Sequence, residues 1–157
     1  MNVQLKRITI EEKEALKNLM QFYFYDFSEL TNADVSMNGT YGVYPNLDDY
    51  FYKQNTHYPY FIVVEGTIVG FALVKQLDTG NTYAIGEFFV LRRYRRNHIG
   101  YKAAKQLFGM YKGDWEIFQL ERNVRAQEFW RKVIADVTGD EFQETTLEGR
   151  VTQTFTV

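Results

Sequence analysis

The chain has 157 residues, 24% of them charged, and a net charge of −2, which suits one domain with a sizeable core and excludes nucleic-acid binding through bulk positive charge. Cysteine is absent, which excludes a disulfide, a thiolate metal site and a cysteine acyl-enzyme; the two histidines, His57 and His98, are too few and too far apart for a zinc site. No apolar run approaches the ~18 residues of a membrane span and no secretory apolar segment opens the chain, so a cytoplasmic protein with no membrane partner is expected.

Residues 3–8 alternate apolar and polar side chains, which predicts a first strand. Thr9, with Glu12 three residues on, matches a capping box. Ala15, Leu16, Leu19, Phe22, Tyr23, Phe27 and Leu30 recur at helical spacing, so a helix is predicted over residues 10–30. Residues 31–45 are rich in Asn, Gly, Asp and Ser and read as a loop, and residues 47–53 as a short helix. Residues 58–64 are β-type. Glu65, Gly66 and Thr67 give a tight turn and residues 68–77 the returning strand. Residues 78–81 supply another turn, and residues 82–91 a third strand of the meander.

A helix over residues 98–112 places Ile99, Ala103 and Leu107 on one face, with Gly113 expected as its C′ glycine. Residues 115–120 are strand-like. Asn123 is the expected N-cap of a helix carrying Ala126, Phe129, Trp130, Val133, Ile134 and Val137. Residues 141–147 and 150–157 form a closing hairpin pattern. No repeat or linker interrupts this order, so residues 1–157 are read as a single domain ordered β-α-α-β-β-β-α-β-α-β-β.

The stretch from Ala84 to Phe108, AIGEFFVLRRYRRNHIGYKAAKQLF, carries the chemistry. An apolar strand runs into a basic turn with Arg92, Arg93, Arg95 and Arg96, and the turn opens directly into a helix. The first turn of a helix has free N–H groups and partial positive charge, so this is an anion site in outline, and a pyrophosphate fits it. Read without that ligand, the same cluster is a solvated basic turn.

YRRNHIGYKAA, Tyr94 to Ala104, resembles the acyl-CoA-binding signature of the GNAT N-acetyltransferase superfamily: Arg or Gln, two residues, Gly, one residue, Gly or Ala. Arg95, His98 and Gly100 occupy the motif positions, with His98 where the first Gly stands. The element order is also that of the GNAT fold, an α+β domain with a mostly antiparallel sheet flanked by helices. The resemblance implies acetyl-CoA as acyl donor, with no metal. It implies that Phe89 and Val90, ending a strand that splays from its neighbour at a bulge, pair with the pantetheine arm. It further implies that the backbone of Arg96, Asn97, His98, Ile99, Gly100 and Tyr101 wraps the pyrophosphate. Gly100 would let the phosphate approach, and His98 would have to tolerate positive φ.

A second stretch, NVRAQEFW, Asn123 to Trp130, is similar to a family pattern in which Asn contacts the cofactor arm and a terminal Tyr protonates the leaving thiolate. Asn123 matches, whereas Trp130 stands at the Tyr position and is no acid at neutral pH. Phe129 and Trp130 also suit the buried face of a helix.

Glu87 is a carboxylate in an otherwise apolar strand. Burial would raise its pKa and suit it to general-base work, which the resemblance favours; a solvent-facing or salt-bridged glutamate is the plainer alternative. Tyr23, Tyr25, Asp26 and Glu29 mix rings and carboxylates at the end of the first helix and suit a cationic amine acceptor, with Tyr41, Tyr44, Asp48, Asp49 and Tyr50 as further candidates for that pocket; the alternative is that Phe22, Tyr23, Phe27 and Leu30 are core and the charged residues solvated. The expected activity is acetyl transfer to a primary amine by direct attack in a ternary complex, the acceptor being a small molecule or a peptide. A catalytically silent CoA-binding module is the alternative. A nucleic-acid partner is not expected, and a homodimer is compatible with the sequence.

Overall fold

The structure is a computed structural model that describes residues 1–78 and 80–157. Of the predicted 78–81 turn, Thr79 lies outside the described residues. The elements follow the predicted order: β1 (Val3–Arg7), α1 (Lys13–Thr31), α2 (Asp49–Tyr52), β2 (His57–Val64), β3 (Thr67–Gln76), β4 (Thr82–Val90), α3 (Ile99–Met110), β5 (Asp114–Leu120), α4 (Val124–Thr138), β6 (Gln143–Leu147) and β7 (Arg150–Thr156). Short 3-10 turns, Ile10–Glu12 and Arg92–Tyr94, precede α1 and α3. The first turn of the predicted 10–30 helix is therefore 3-10. There the Glu12 carboxylate accepts the Thr9 N–H at 3.1 Å, the reach-back half of the capping box.

The strands form one seven-stranded sheet in the order β1-β2-β3-β4-β5-β7-β6. Every neighbouring pair is antiparallel except β4 with β5, which the α3 crossover makes parallel. Strands β2 and β3 are apolar on both faces because helices cover both. Phe61, Val63, Phe71 and Leu73 face Leu16, Met20 and Tyr23 of α1 and Tyr50 and Phe51 of α2. Tyr60, Ala72 and Val74 face Leu107 and Phe108 of α3 and Trp130, Val133 and Ile134 of α4. The Glu65–Gly66 turn between β2 and β3 has φ of +49° and +80°, the two left-handed residues of a tight hairpin.

Gly113 does not act as the C′ glycine of α3. Its φ is +143°, outside the left-handed helical region, and the cap position falls on extended Tyr111. Glycine is needed twice over: for that φ, which residues with side chains rarely adopt, and because a Cβ at 113 would sit 2.6 Å from the Asn81 carbonyl oxygen, where β5 starts beside β4.

Two irregularities shape the middle of the sheet. The parallel pairing of β4 with β5 covers Thr82↔Asp114, Tyr83↔Trp115 and Ala84↔Glu116, and the strands diverge beyond it. On the other side of β4, Leu73 pairs with Glu87 and Val74 with Ile85, so Gly86 is the extra residue of a bulge. Strand β3 crosses the end of β4 closely: a Cβ on Gly70 would lie 2.1 Å from the Phe89 carbonyl oxygen.

Candidate active site

Glu87 follows the bulge directly, and the bulge aims it at the α1 side of the sheet. Its carboxylate accepts the hydroxyl of Tyr23, which α1 holds in the core. Tyr44, from the loop before α2, Tyr50 of α2 and Lys75 of β3 lie around it. A Cβ at Gly86 would stand 2.6 Å from the Tyr50 hydroxyl, so glycine there makes room for that ring. Burial pushes the Glu87 carboxyl above its ordinary range; the Tyr23 hydrogen bond, the nearby Tyr44 hydroxyl and Lys75 oppose this with smaller effect. Burial and the Glu87 charge push Tyr23, Tyr44 and Tyr50 upward, so these phenols remain protonated donors.

The end of β4 separates its side chains between the layers. Phe89 lies in the α1 core, edge-on to Tyr23 with ring centroids 5.6 Å apart. Phe88 points the other way, 5.9 Å from Phe129 and 5.1 Å from Trp130. Val90 packs beside Phe88 near Ile99. Along residues 85–90 the edge of β4 toward β5 carries no ladder pairing. An extended ligand arm bearing amide groups finds unpaired backbone there.

The basic turn leads from this edge to the start of α3. Arg96 has φ +67° and His98 φ +58°, so the histidine at the family's glycine position adopts the left-handed conformation that glycine would supply. The first helical bond runs from Lys102 N–H to the His98 carbonyl at 2.9 Å. The N–H groups of Ile99, Gly100 and Tyr101 precede it, at the positive end of the helix dipole. Arg96, Asn97 and His98 are exposed around this terminus. A Cβ on Gly100 would lie 3.4 Å from Phe129 and 3.5 Å from Phe88, ordinary contact distances, so the α3–α4 packing does not by itself call for glycine. The Tyr101 hydroxyl donates to Asp136 of α4 at 2.8 Å.

The four expected acceptor residues do not converge. Tyr23 meets Glu87. Asp26 is engaged by Arg92 at 2.8 Å and by Arg95. Tyr25, 63% exposed, and exposed Glu29 lie on the face of α1 turned away from Tyr23. Of the further candidates, Tyr44 and Tyr50 surround Glu87; Asp48 pairs with Lys13 and Asp49 with Lys53. The loop is pinned by Gln21, which accepts the Tyr41 N–H at 2.9 Å and donates to the Gly42 carbonyl at 2.8 Å.

Asn123 caps α4, accepting the Ala126 N–H at 3.3 Å. Trp130 is 6% exposed and packs in the core against Phe88 and Phe108. The sequence reading expects a bulge in this strand but not its place at Gly86, and it does not single out the Asp26–Arg95 pair. The signal for the bulge is a glycine inside an apolar strand run. The Asp26–Arg95 pair spans 69 residues and leaves no local signal. Among the described residues, no group of three or more His, Cys, Asp or Glu is gathered to hold a metal, and no helix is long and apolar enough to cross a membrane.

The fold is shared with solved structures. One is similar across 99% of both chains, an acetyltransferase of the GNAT family from Staphylococcus aureus, with TM-score 0.68 and 16% identity. A second is the PaiA N-acetyltransferase of Thermoplasma acidophilum in complex with coenzyme A, with TM-score 0.69 and 12% identity over 100% of both chains. A third is an aminoglycoside acetyltransferase in complex with coenzyme A, with TM-score 0.67 and 15% identity over 99% of this chain and 95% of that one. Among curated proteins none matches the chain. The profile of the Acetyltransferase (GNAT) family matches residues 14–134, spanning α1 through most of α4. The chain belongs to the GNAT acetyltransferase family and is an acyltransferase.

Proposed function

We propose that the protein transfers the acetyl group of acetyl-CoA to a primary amine by direct attack in a ternary complex. The observation that carries this reading is the position of Glu87. It is a carboxyl raised by burial, on the strand whose far end diverges from β5 and leads to the α3 N-terminus. In this reading the exposed amides of residues 96–101 receive the pyrophosphate and the unpaired edge at Phe89 and Val90 receives the pantetheine arm. Arg95 fixes the turn, and Asn123 borders the far side. A backbone N–H at the end of β4 polarises the thioester carbonyl.

The amine nitrogen attacks the carbonyl carbon and gives its proton to Glu87. The C–S bond then breaks, and the CoA thiolate leaves and is protonated by water. A thiolate needs no strong acid to leave, since thiols of the cysteine type have pKa near roughly 8.5. The chain has no cysteine to carry the acyl group, which favours direct transfer. Tyr23, Tyr44 and Tyr50 around Glu87 form an aromatic, anionic wall suited to an ammonium group.

A second reading, a silent CoA-binding module, is favoured by the burial of Trp130 in the core. One experiment separates the two. The folded protein is heated with and without millimolar CoA, then assayed with acetyl-CoA and a broad panel of amines by release of free thiol. Thermal stabilisation with turnover supports the enzyme. Stabilisation without turnover on any amine supports the silent module. No stabilisation by CoA removes both.

A further inference from the structure

Asp26 lies one helical turn from Tyr23 on α1, and its carboxylate takes both Arg92, at 2.8 Å, and Arg95. Both arginines belong to the turn that carries Arg96, Asn97 and His98 into α3. Arg95 is held from three directions: its Nε donates to the Val90 carbonyl at 2.8 Å, its Nη2 donates to Asp26, and its guanidinium lies 5.4 Å from the Phe89 ring centroid. Phe89 packs edge-on against Tyr23, and Tyr23 donates to Glu87. Two short routes therefore join the turn to Glu87. One runs from Arg95 through Asp26 and the turn of α1 to Tyr23. The other runs from Arg95 through Phe89 to Tyr23. The Asp26 side chain is 22% exposed and that of Arg95 36%, so this pair is more sheltered from solvent than an ordinary surface ion pair.

We propose that Asp26 is a positioning residue: through Arg95 it passes the order that CoA imposes on the phosphate loop to Tyr23, and so sets the hydrogen bond that holds Glu87 as base. The inference rests on the acetyl-CoA reading above. Asp26 then touches neither the thioester nor the amine. The groups that face Glu87 are Tyr23 from α1, Tyr44 from the loop before α2, Tyr50 from α2 and Lys75 from β3. Asp26 reaches the carboxylate through Tyr23. The element on which the coupling would act is the α1 turn between Tyr23 and Asp26, which CoA would hold more firmly through Arg95.

The test follows the ionisation of Glu87 by NMR, with glutamate side chains labelled with carbon-13 and the Glu87 signal assigned from Glu87→Gln. The wild type and Asp26→Asn are titrated with and without free CoA, and CoA binding is measured separately by calorimetry. In the wild type, CoA lowers the Glu87 midpoint by about half a pH unit or more, because a fixed Tyr23 donor favours the carboxylate. In Asp26→Asn, CoA still binds and the midpoint moves less than half as far, the remainder passing through Phe89; Asp26→Glu restores part of the movement. Equal movement in the wild type and Asp26→Asn overturns the inference, as does an unmoved midpoint in wild type that binds CoA. Where Asp26→Asn does not fold, Arg95→Lys is read by the same criterion. Failure of the wild type to bind CoA in the calorimeter overturns the acetyl-CoA reading and this inference with it.

Discussion

The Tyr23 hydroxyl donates to the Glu87 carboxylate, joining α1 to the residue that follows the bulge in β4. The contact places the proposed base between two environments. On one side is the aromatic core of α1 and on the other the unpaired edge of β4.

Glu87→Gln is expected to leave CoA binding intact and to lower acetyl transfer by roughly 10²-fold or more, the scale for loss of a general base. Part of the loss returns at high pH, where the amine is deprotonated by solvent. The check is a rate–pH profile on the best amine of the panel. Full activity in Glu87→Gln would make the carboxyl structural.

Tyr23→Phe removes a donor that opposes the effect of burial on Glu87. The acid limb of the wild-type rate profile lies above the ordinary glutamate value, and in Tyr23→Phe it moves higher still. The buried carboxylate loses a partner, at a cost of about 1–3 kcal/mol in stability. Urea unfolding and the pH profile together report both effects, and an acid limb that moves down contradicts the assignment.

The same group predicts a pH dependence of stability. The Glu87 pKa is raised in the folded state above the ordinary 4.5. Below that value both states hold the proton and burial carries no penalty. As pH rises through the folded value, the unfolded chain ionises freely while the folded one keeps a desolvated charge, and stability is lost. Glu87→Gln should therefore gain on the wild type between pH 4.5 and pH 8 in paired urea titrations. A constant difference across that range would mean that the carboxyl is not desolvated.

Most of the fold was legible because local patterns encode it. Two-faced apolar runs mark β2 and β3, and Asn123 and Thr9 mark helix starts. The α3 boundary follows from the basic turn. What escaped the sequence reading is non-local. Gly113 sits where a helix cap belongs, yet the Asn81 carbonyl, from a distant turn, explains it. Tyr23, Tyr25, Asp26 and Glu29 share one composition, but the helix distributes them to different faces, and Asp26 is claimed by arginines 66 and 69 residues away. Glu87 was legible as an acid among apolar residues; its tyrosine partners come from three separate segments.

Gly70→Ala is expected to be harmful although it adds one methyl group. The new Cβ would stand 2.1 Å from the Phe89 carbonyl oxygen, which is backbone and cannot rotate away. Overpacking of this kind costs about 1–3 kcal/mol. It also shifts Phe89, so CoA should stabilise the variant less than the wild type in a thermal melt. An unchanged response to CoA would detach the end of β4 from the cofactor site.

Arg96→Ala should weaken CoA more than a pantetheine analogue without phosphates, and raised salt should narrow the gap. Calorimetry with both ligands at two salt concentrations tests it. Equal losses for both would assign Arg96 to the shape of the turn.

Among the described residues, the three residue pairs between β4 and β5 are the ladder connecting β1–β4 to β5–β7–β6. Each half is an antiparallel unit with its own ladders, so the sheet has a seam running down its middle. Unzipping that seam breaks few hydrogen bonds and leaves both halves paired. Amide exchange should register this as two blocks of protected strands, with the amides of residues 82–84 and 114–116 exchanging faster than the centres of β3 and β7. The cleft at the mouth of the seam can then take a long ligand without breaking either ladder, while the shared core of Val74, Ile85, Trp115 and Phe155 keeps the two halves together.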